Sequence, residues 1–171
     1  MNRASIKTRW QAGIPLAAGG LSGLLGLLVL LGWHTHCTPL IQVRPGFTAM
    51  MYNTAVCFLL SGAGMALLAV GRRRPAFLLG VAVAAAALLT ASQDLLGRDL
   101  GIDQLLMECY VTYDAPHPGR MAPNTALCFA CVGAALSILG VGISQTWRPL
   151  VAGFFGSVVA AVAGCTIFGY L

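Results

Sequence analysis

The stretch Met121-Ala122-Pro123-Asn124-Thr125-Ala126-Leu127-Cys128-Phe129 has a counterpart earlier in the chain, Met50-Met51-Tyr52-Asn53-Thr54-Ala55-Val56-Cys57-Phe58. The shared pattern is M-x-x-N-T-A-x-C-F. At the same offset the match runs on through Gly62/Gly133, Ala63/Ala134, Leu68/Leu139 and Gly71/Gly142. A repeat of this kind decides the architecture before local propensities are weighed. Each copy opens a long apolar run, so the sequence reads as a duplicated membrane unit. A polar Asn-Thr pair then stands at the mouth of the same helix twice.

Composition agrees. The chain is 58% hydrophobic and 9% charged, with a mean hydropathy of +0.82; a soluble domain would carry about 25% charged residues. Apolar runs of about 20 residues, the length that crosses a bilayer, recur along it. The expected fold class is all-α: a polytopic membrane bundle of five transmembrane helices built from tandem, parallel two-helix repeats. The net charge of +5 does not point to nucleic acid. The basic residues cluster at helix ends, and no aromatic–basic platform is visible.

The spans are expected at about 14–33, 50–71, 76–93, 121–143 and 150–171. The first follows a basic head with Arg3, Lys7 and Arg9 and ends in Gly32-Trp33-His34 without a small-x-small cleavage signal, so it reads as an uncleaved helix rather than a signal peptide. Two prolines and a glycine break up the loop over 34–49. Arg72-Arg73-Arg74-Pro75 is a tight basic turn. The long segment from Asp94 to Arg120 holds all five acidic residues. Its first half, 95–106, mixes leucines with charges as a short interfacial helix does; its second, 113–119, is turn-forming.

Charge sets the expected orientation. Arg3, Lys7, Arg9, Arg72, Arg73, Arg74 and Arg148 fall on one side with no acid, and three arginines with every acid on the other. By the positive-inside rule the N-terminus is cytoplasmic. Two helices per unit give both copies the same orientation, related by an axis along the membrane normal. The chain then reads as one membrane domain over 1–171, with unit one at 14–71, unit two at 76–143 and the start of a third at 150–171. The expectation is either an excised N-terminal portion of a longer protein or a natural five-helix version.

The paired M-x-x-N-T-A-x-x-F segments, with Gly97-Arg98-Asp99-Leu100-Gly101-Ile102-Asp103 between them, resemble the N-terminal membrane sensor region of some bacterial signalling proteins. The likeness covers most of residues 14–171. In that family such a region precedes a cytoplasmic histidine kinase or GGDEF-type diguanylate cyclase. The resemblance implies a multi-pass protein of the bacterial inner membrane with an input role and no enzymatic activity of its own. Its expected partners are the lipid bilayer, a cytoplasmic kinase or cyclase output module outside this chain, and a second copy in a homodimer. It names no cofactor.

Three groups of residues are candidate sites. Met50, Asn53, Thr54 and Cys57 with Met121, Asn124, Thr125 and Cys128 are the candidate ligand-binding set. Met50, Asn53 and Cys57 are spaced to share one helical face, repeated by Met121, Asn124 and Cys128. The plainer reading makes the Asn-Thr pairs N-terminal caps. His34, His36 and Cys37 carry soft and borderline ligand atoms close together and are the candidate copper, zinc or haem set; the plainer reading is a polar loop at the lipid headgroups, with Trp33 as its anchor. Asp94, Arg98, Asp99, Asp103 and Glu108 would give a charged outer surface, the plainer reading being a solvated loop whose acids pair with Arg98 or Arg120. Cys37 and Cys109, the two cysteines in connecting segments, could be joined in an oxidising compartment. Cys128-x-x-Cys131 lies inside a span, where packing rather than redox chemistry is expected.

The leading functional expectation is therefore a membrane sensor or input module. The alternatives are a metal- or haem-binding redox subunit resting on His34, His36 and Cys37, a small transporter, and a structural subunit of a membrane complex. A transporter wants buried charges or broken helices at the midplane, and the central thirds of all five runs contain no Asp, Glu, Lys, Arg or His.

Overall fold

A computed structural model describes residues 3–42, 44, 48–111 and 117–170. Most of the turn expected over 113–119 and the Pro45-Gly46 break lie outside the described residues. The elements are α1 (Arg3–Thr35), α2 (Thr38–Ile41), α3 (Tyr52–Ala69), α4 (Arg73–Leu96), α5 (Pro123–Val141) and α6 (Arg148–Tyr170), with no strand among the described residues. Five of the six are long and apolar enough to cross a membrane. The shortest of these, α3 with 18 residues, is about 27 Å long at 1.5 Å per residue, close to the hydrocarbon thickness.

Ends differ from expectation in ways that local chemistry explains. The helix of the first span begins at Arg3, well before the apolar run, and Pro15 lies inside it. Arg73 and Arg74 start α4 rather than forming the turn. The leucine–charge mixture at 95–106 does not make an interfacial helix. α4 runs to Leu96, Gly97 takes the left-handed conformation (φ 59°), and Arg98 N–H closes the helix on the Gln93 carbonyl at 3.1 Å. A second left-handed glycine, Gly101 (φ 69°), keeps the chain turning. Leu95, Leu96, Leu105 and Leu106 are left exposed.

The bundle is two tight helix pairs, α1 with α3 and α4 with α5, joined mainly through α3 against α4 and α5; α6 packs on α5 alone. With lipid as solvent, close pairing relies on small residues that let backbones approach. A Cβ at Gly26 would sit 2.6 Å from the Ala55 carbonyl oxygen, and one at Gly62 would strike the backbone of Gly19 and Gly23. In the other pair a Cβ at Gly133 would lie 2.5 Å from Ala84 N, and one at Gly80 2.7 Å from Ser137 N. Ser22 Oγ donates to the Phe58 carbonyl across α1 and α3 at 3.0 Å. Phe58 and Phe129 meet edge to face between the pairs, with centroids 5.0 Å apart.

Two ends follow from the connectivity. One carries the short turns at 70–72 and 142–147. The other, here the loop end, carries α2, residues 97–111 and 117–122 and the first turns of α3 and α5.

A candidate ligand cavity at the loop end

The long segment is held down by one buried acid. Asp103 is 8% exposed. Its carboxylate accepts from Gln93 Nε2 at 2.9 Å and from Arg120 Nε at 2.7 Å. Its main-chain oxygen accepts from Asn53 Nδ2 of α3, also at 2.9 Å. Gln93 Oε1 in turn accepts Leu100 N–H at 2.7 Å. Helices α3 and α4, the loop and the residue before Met121 therefore meet at Asp103. Gly119 allows the approach: its φ is +83°, and a Cβ there would lie 3.1 Å from the Asp103 carbonyl oxygen.

Arg120 is the cation of this cluster. Its side chain is 7% exposed, with Asp94 at 3.1 Å, Asp99 at 3.6 Å and Asp103 at 2.7 Å. Burial works against its charge, but the Asp103 and Asp94 carboxylates outweigh this and raise its pKa. Nη2 is nonetheless buried without a hydrogen-bond acceptor.

Farther along, Tyr110 closes the other hairpin. The last carbonyls of a helix lack intrahelical partners. Tyr110 hydroxyl donates to those of Gly32 and Trp33 at 3.3 and 3.1 Å, and its ring meets buried Trp33 at 4.9 Å. Trp33 Nε1 donates to the Met50 carbonyl at 2.9 Å. Burial first, then the neighbouring thiols of Cys109 and Cys37, raises the Tyr110 pKa. The neutral hydroxyl is the form that donates, so the stabilisation is complete below the ordinary tyrosine range and is lost as pH rises through the raised value. Difference titration of tyrosinate absorbance, wild type minus Tyr110→Phe, is expected to give a midpoint above that of free tyrosine. A midpoint at or below it would contradict the anchoring.

Asn53 and Asn124 do not share a site. The N-cap residues of α3 and α5 are Met51 and Ala122, and neither makes a side-chain cap bond. The asparagines therefore lie one step inside the first turn, and the capping reading fails. Asn53 is committed to the loop. Asn124 Nδ2 donates to Thr166 Oγ1 of α6 at 2.8 Å, and its Oδ1 accepts the Thr125 N–H. The shared face inferred from spacing fails too, because Met50 and Met121 precede the helices. Cys57 is buried among Val83, Ala87, Met121, Ala126 and Phe129.

What the two segments do share is a cavity of about 760 Å³. Met50, Met51, Thr54 and Phe58 line it from one side, and Met121, Ala122, Pro123, Asn124 and Thr125 from the other. Leu25 and Val29 of α1, residues 39–42 of α2 and its end, residues 48–49 and Thr166 of α6 complete the wall, with Asp94, His117 and Arg120 among the lining residues. Of the eight residues in the expected ligand set, Met50, Thr54, Met121, Asn124 and Thr125 line it; Asn53, Cys57 and Cys128 do not. The repeat pattern alone does not point to Arg120, Asp94 or Met51 as lining residues. The only sequence signal for Arg120 is a lone arginine directly before Met121 in a segment rich in acids.

The histidine group is dispersed. His36 takes a left-handed conformation (φ 54°) that ends α1, with Cys37 N–H bonded to the Gly32 carbonyl at 2.9 Å. Its ring stacks on Tyr110 at 4.4 Å, whereas His34 Nε2 lies 3.2 Å from the Tyr52 hydroxyl. Among the described residues no three His, Cys, Asp or Glu side chains are grouped so as to hold a metal. Cys37 and Cys109 are free thiols. Of the charged surface group, Asp94, Asp99 and Asp103 converge on Arg120, while Arg98 and Glu108 are exposed.

No family model matches the chain, and no characterised protein or solved structure shows significant similarity to it.

Proposed function

We infer that this chain is the membrane input module of a bacterial signalling protein, and that its ligand occupies the loop-end cavity. The observation that carries the reading is the lining itself: both M-x-x-N-T-A segments border one cavity beside a buried charge cluster. Pockets of about 300–1,000 Å³ with an apolar wall and a few convergent polar groups are the usual form of a small-molecule site. The arginine distribution supports a cytoplasmic N-terminus and an exterior loop end. The matched glycines Gly62 and Gly133, each against the backbone of its neighbouring helix, support descent from a duplicated hairpin. An output module would then be carried elsewhere, on a continuation of the chain or on a partner.

A ligand acts by favouring one of two helix arrangements. Its effect must reach the turn end, where Arg72 and Gln145 are exposed. Spin labels there, in a background without the native cysteines, measure the distance between the two turns. Filling the cavity by Thr54→Leu with Thr125→Leu should mimic occupancy and shift that distance by about 1–2 Å, the usual scale of helix shifts. A correctly folded double variant with an unchanged distance distribution would count against an input role and favour a structural subunit.

A further inference from the structure

We propose that the turn end of the bundle docks on anionic phospholipid, with Arg72, Arg73, Arg74 and Arg148 receiving the phosphodiester headgroups. This surface lies at the opposite end from the cavity and needs no ligand there.

Charge is the first observation. Arg72, Arg73 and Arg74 are consecutive and exposed on one turn, and Arg148 is half-buried at the end of the other. α1 begins at this end too, with Arg3, Lys7 and Arg9 near its start. The acids Asp94, Asp99, Asp103 and Glu108 lie at the loop end. Among the described residues every ion pair is made by Arg120, so no carboxylate neutralises the turn-end arginines. A guanidinium is always charged, and its planar fork matches a phosphate group. Three like charges in one turn repel each other, and an anionic surface offsets that repulsion.

Packing joins the two turns into one surface. Gly142 takes φ +91°, and a Cβ on it would lie 3.0 Å from Arg73 Nη1. The Arg73 guanidinium therefore rests on the segment that leads into Arg148. A Cβ at Gly140 would strike the Phe77 backbone in the same way, so the start of α4 and the end of α5 are held side by side.

Depth identifies the anion. Leu78, 65% exposed, is the first leucine of α4, and Arg74 precedes it by about 6 Å along the axis at 1.5 Å per residue. In α6, Leu150 is 58% exposed and follows Arg148 by about 3 Å. Exposed leucines on spanning helices face lipid, so the arginines stand where hydrocarbon gives way to headgroup phosphates. Trp147, 61% exposed beside Arg148, is a residue type that settles at this level. A soluble polyanion would match the charge but not the depth.

The test offers the full chain, in a zwitterionic detergent, phosphatidylglycerol or phosphatidylcholine with the same acyl chains. Native mass spectrometry counts the lipid retained per protein. An arginine near an anionic surface favours it by up to about fivefold, so phosphatidylglycerol should be retained at least about tenfold better. Arg72→Gln/Arg74→Gln, at two exposed positions that leave Arg73 on Gly142, should cut that preference at least about fivefold, and each single substitution by less. Arg98→Gln, exposed at the loop end, should leave it unchanged. Neither glycerol phosphate nor a ten-nucleotide oligothymidylate should displace the lipid. The proposal is overturned if the two lipids are retained alike, or if the double and both single variants keep the wild-type preference. It is equally overturned if Arg98→Gln lowers the preference as much as the double variant does. Displacement by glycerol phosphate or by the oligonucleotide would also overturn it and assign the surface to a soluble anion.

Discussion

Replacing Gly133 by valine is expected to prevent α4 and α5 from pairing. A Cβ at this position would stand 2.5 Å from Ala84 N and 2.8 Å from Ala84 Cα. Both are backbone atoms, so no side-chain rotation relieves the clash and the helices must separate. Overpacking costs about 1–3 kcal/mol, and more where backbone must move. Separation also forfeits the neighbouring approaches at Gly80 and Gly140. The expected loss is at least about 3 kcal/mol, read as a fall in the denaturation midpoint in mild detergent. Gly62→Val should behave alike in the α1–α3 pair. Gly156→Val is the control: nothing lies within 4 Å of a Cβ there, and it should be close to neutral. Equal effects at Gly133 and Gly156 would mean that the pairs are not packed as described.

The second large effect is expected at Arg120. Arg120→Leu leaves Asp103 buried with only Gln93 donating to its carboxylate, and removes the countercharge of Asp94. Breaking one partner out of a buried ion pair costs about 3–5 kcal/mol, much of it the stranded charge. The double variant Asp103→Leu/Arg120→Leu removes both charges and should be less damaging than the sum of the singles by about 1–3 kcal/mol. Amide exchange resolves where the damage falls. Residues 98–110 should lose protection in Arg120→Leu while the middles of α4 and α5 keep theirs. Uniform loss of protection would assign Arg120 to the global fold rather than to the loop.

These two expectations differ in how far the sequence announces them. Gly133 is legible: it recurs as Gly62 within the duplicated pattern, and small residues in apolar runs signal close helices. The five spans, the basic turn at Arg72 and the nearness of Met50, Thr54, Met121, Asn124 and Thr125 are legible for the same reason. Of the Arg120 cluster, the pairing of loop acids with Arg98 or Arg120 is legible, and Arg120 is the partner found; that Asp103 is the acid buried against Arg120 is not. Their meeting depends on two reversals of the chain, and the left-handed glycines 97, 101 and 119 that permit them look in sequence like ordinary loop glycines. Alternating leucines and charges satisfy an interfacial helix and a folded loop equally well; what decides between them is Gln93, whose side chain holds both Leu100 N–H and Asp103. Asn53 and His36 mislead for a related reason. Each is a residue type with a familiar role, cap or ligand, and each is used here for its backbone neighbourhood: Asn53 to hold the loop carbonyls, His36 to take a positive φ.

The input role requires the two M-x-x-N-T-A segments to border the same cavity at one end of the bundle. Cysteines introduced at Thr54 and Thr125, in a background without native cysteines and in intact membranes, test this directly with a short bifunctional maleimide. Efficient joining of the Thr54 and Thr125 positions, with none between Thr54 and Ser144 at the turn end, is the predicted result. Joining of Thr54 to Ser144 instead would put the first turns of α3 and α5 at opposite ends of the bundle and contradict it.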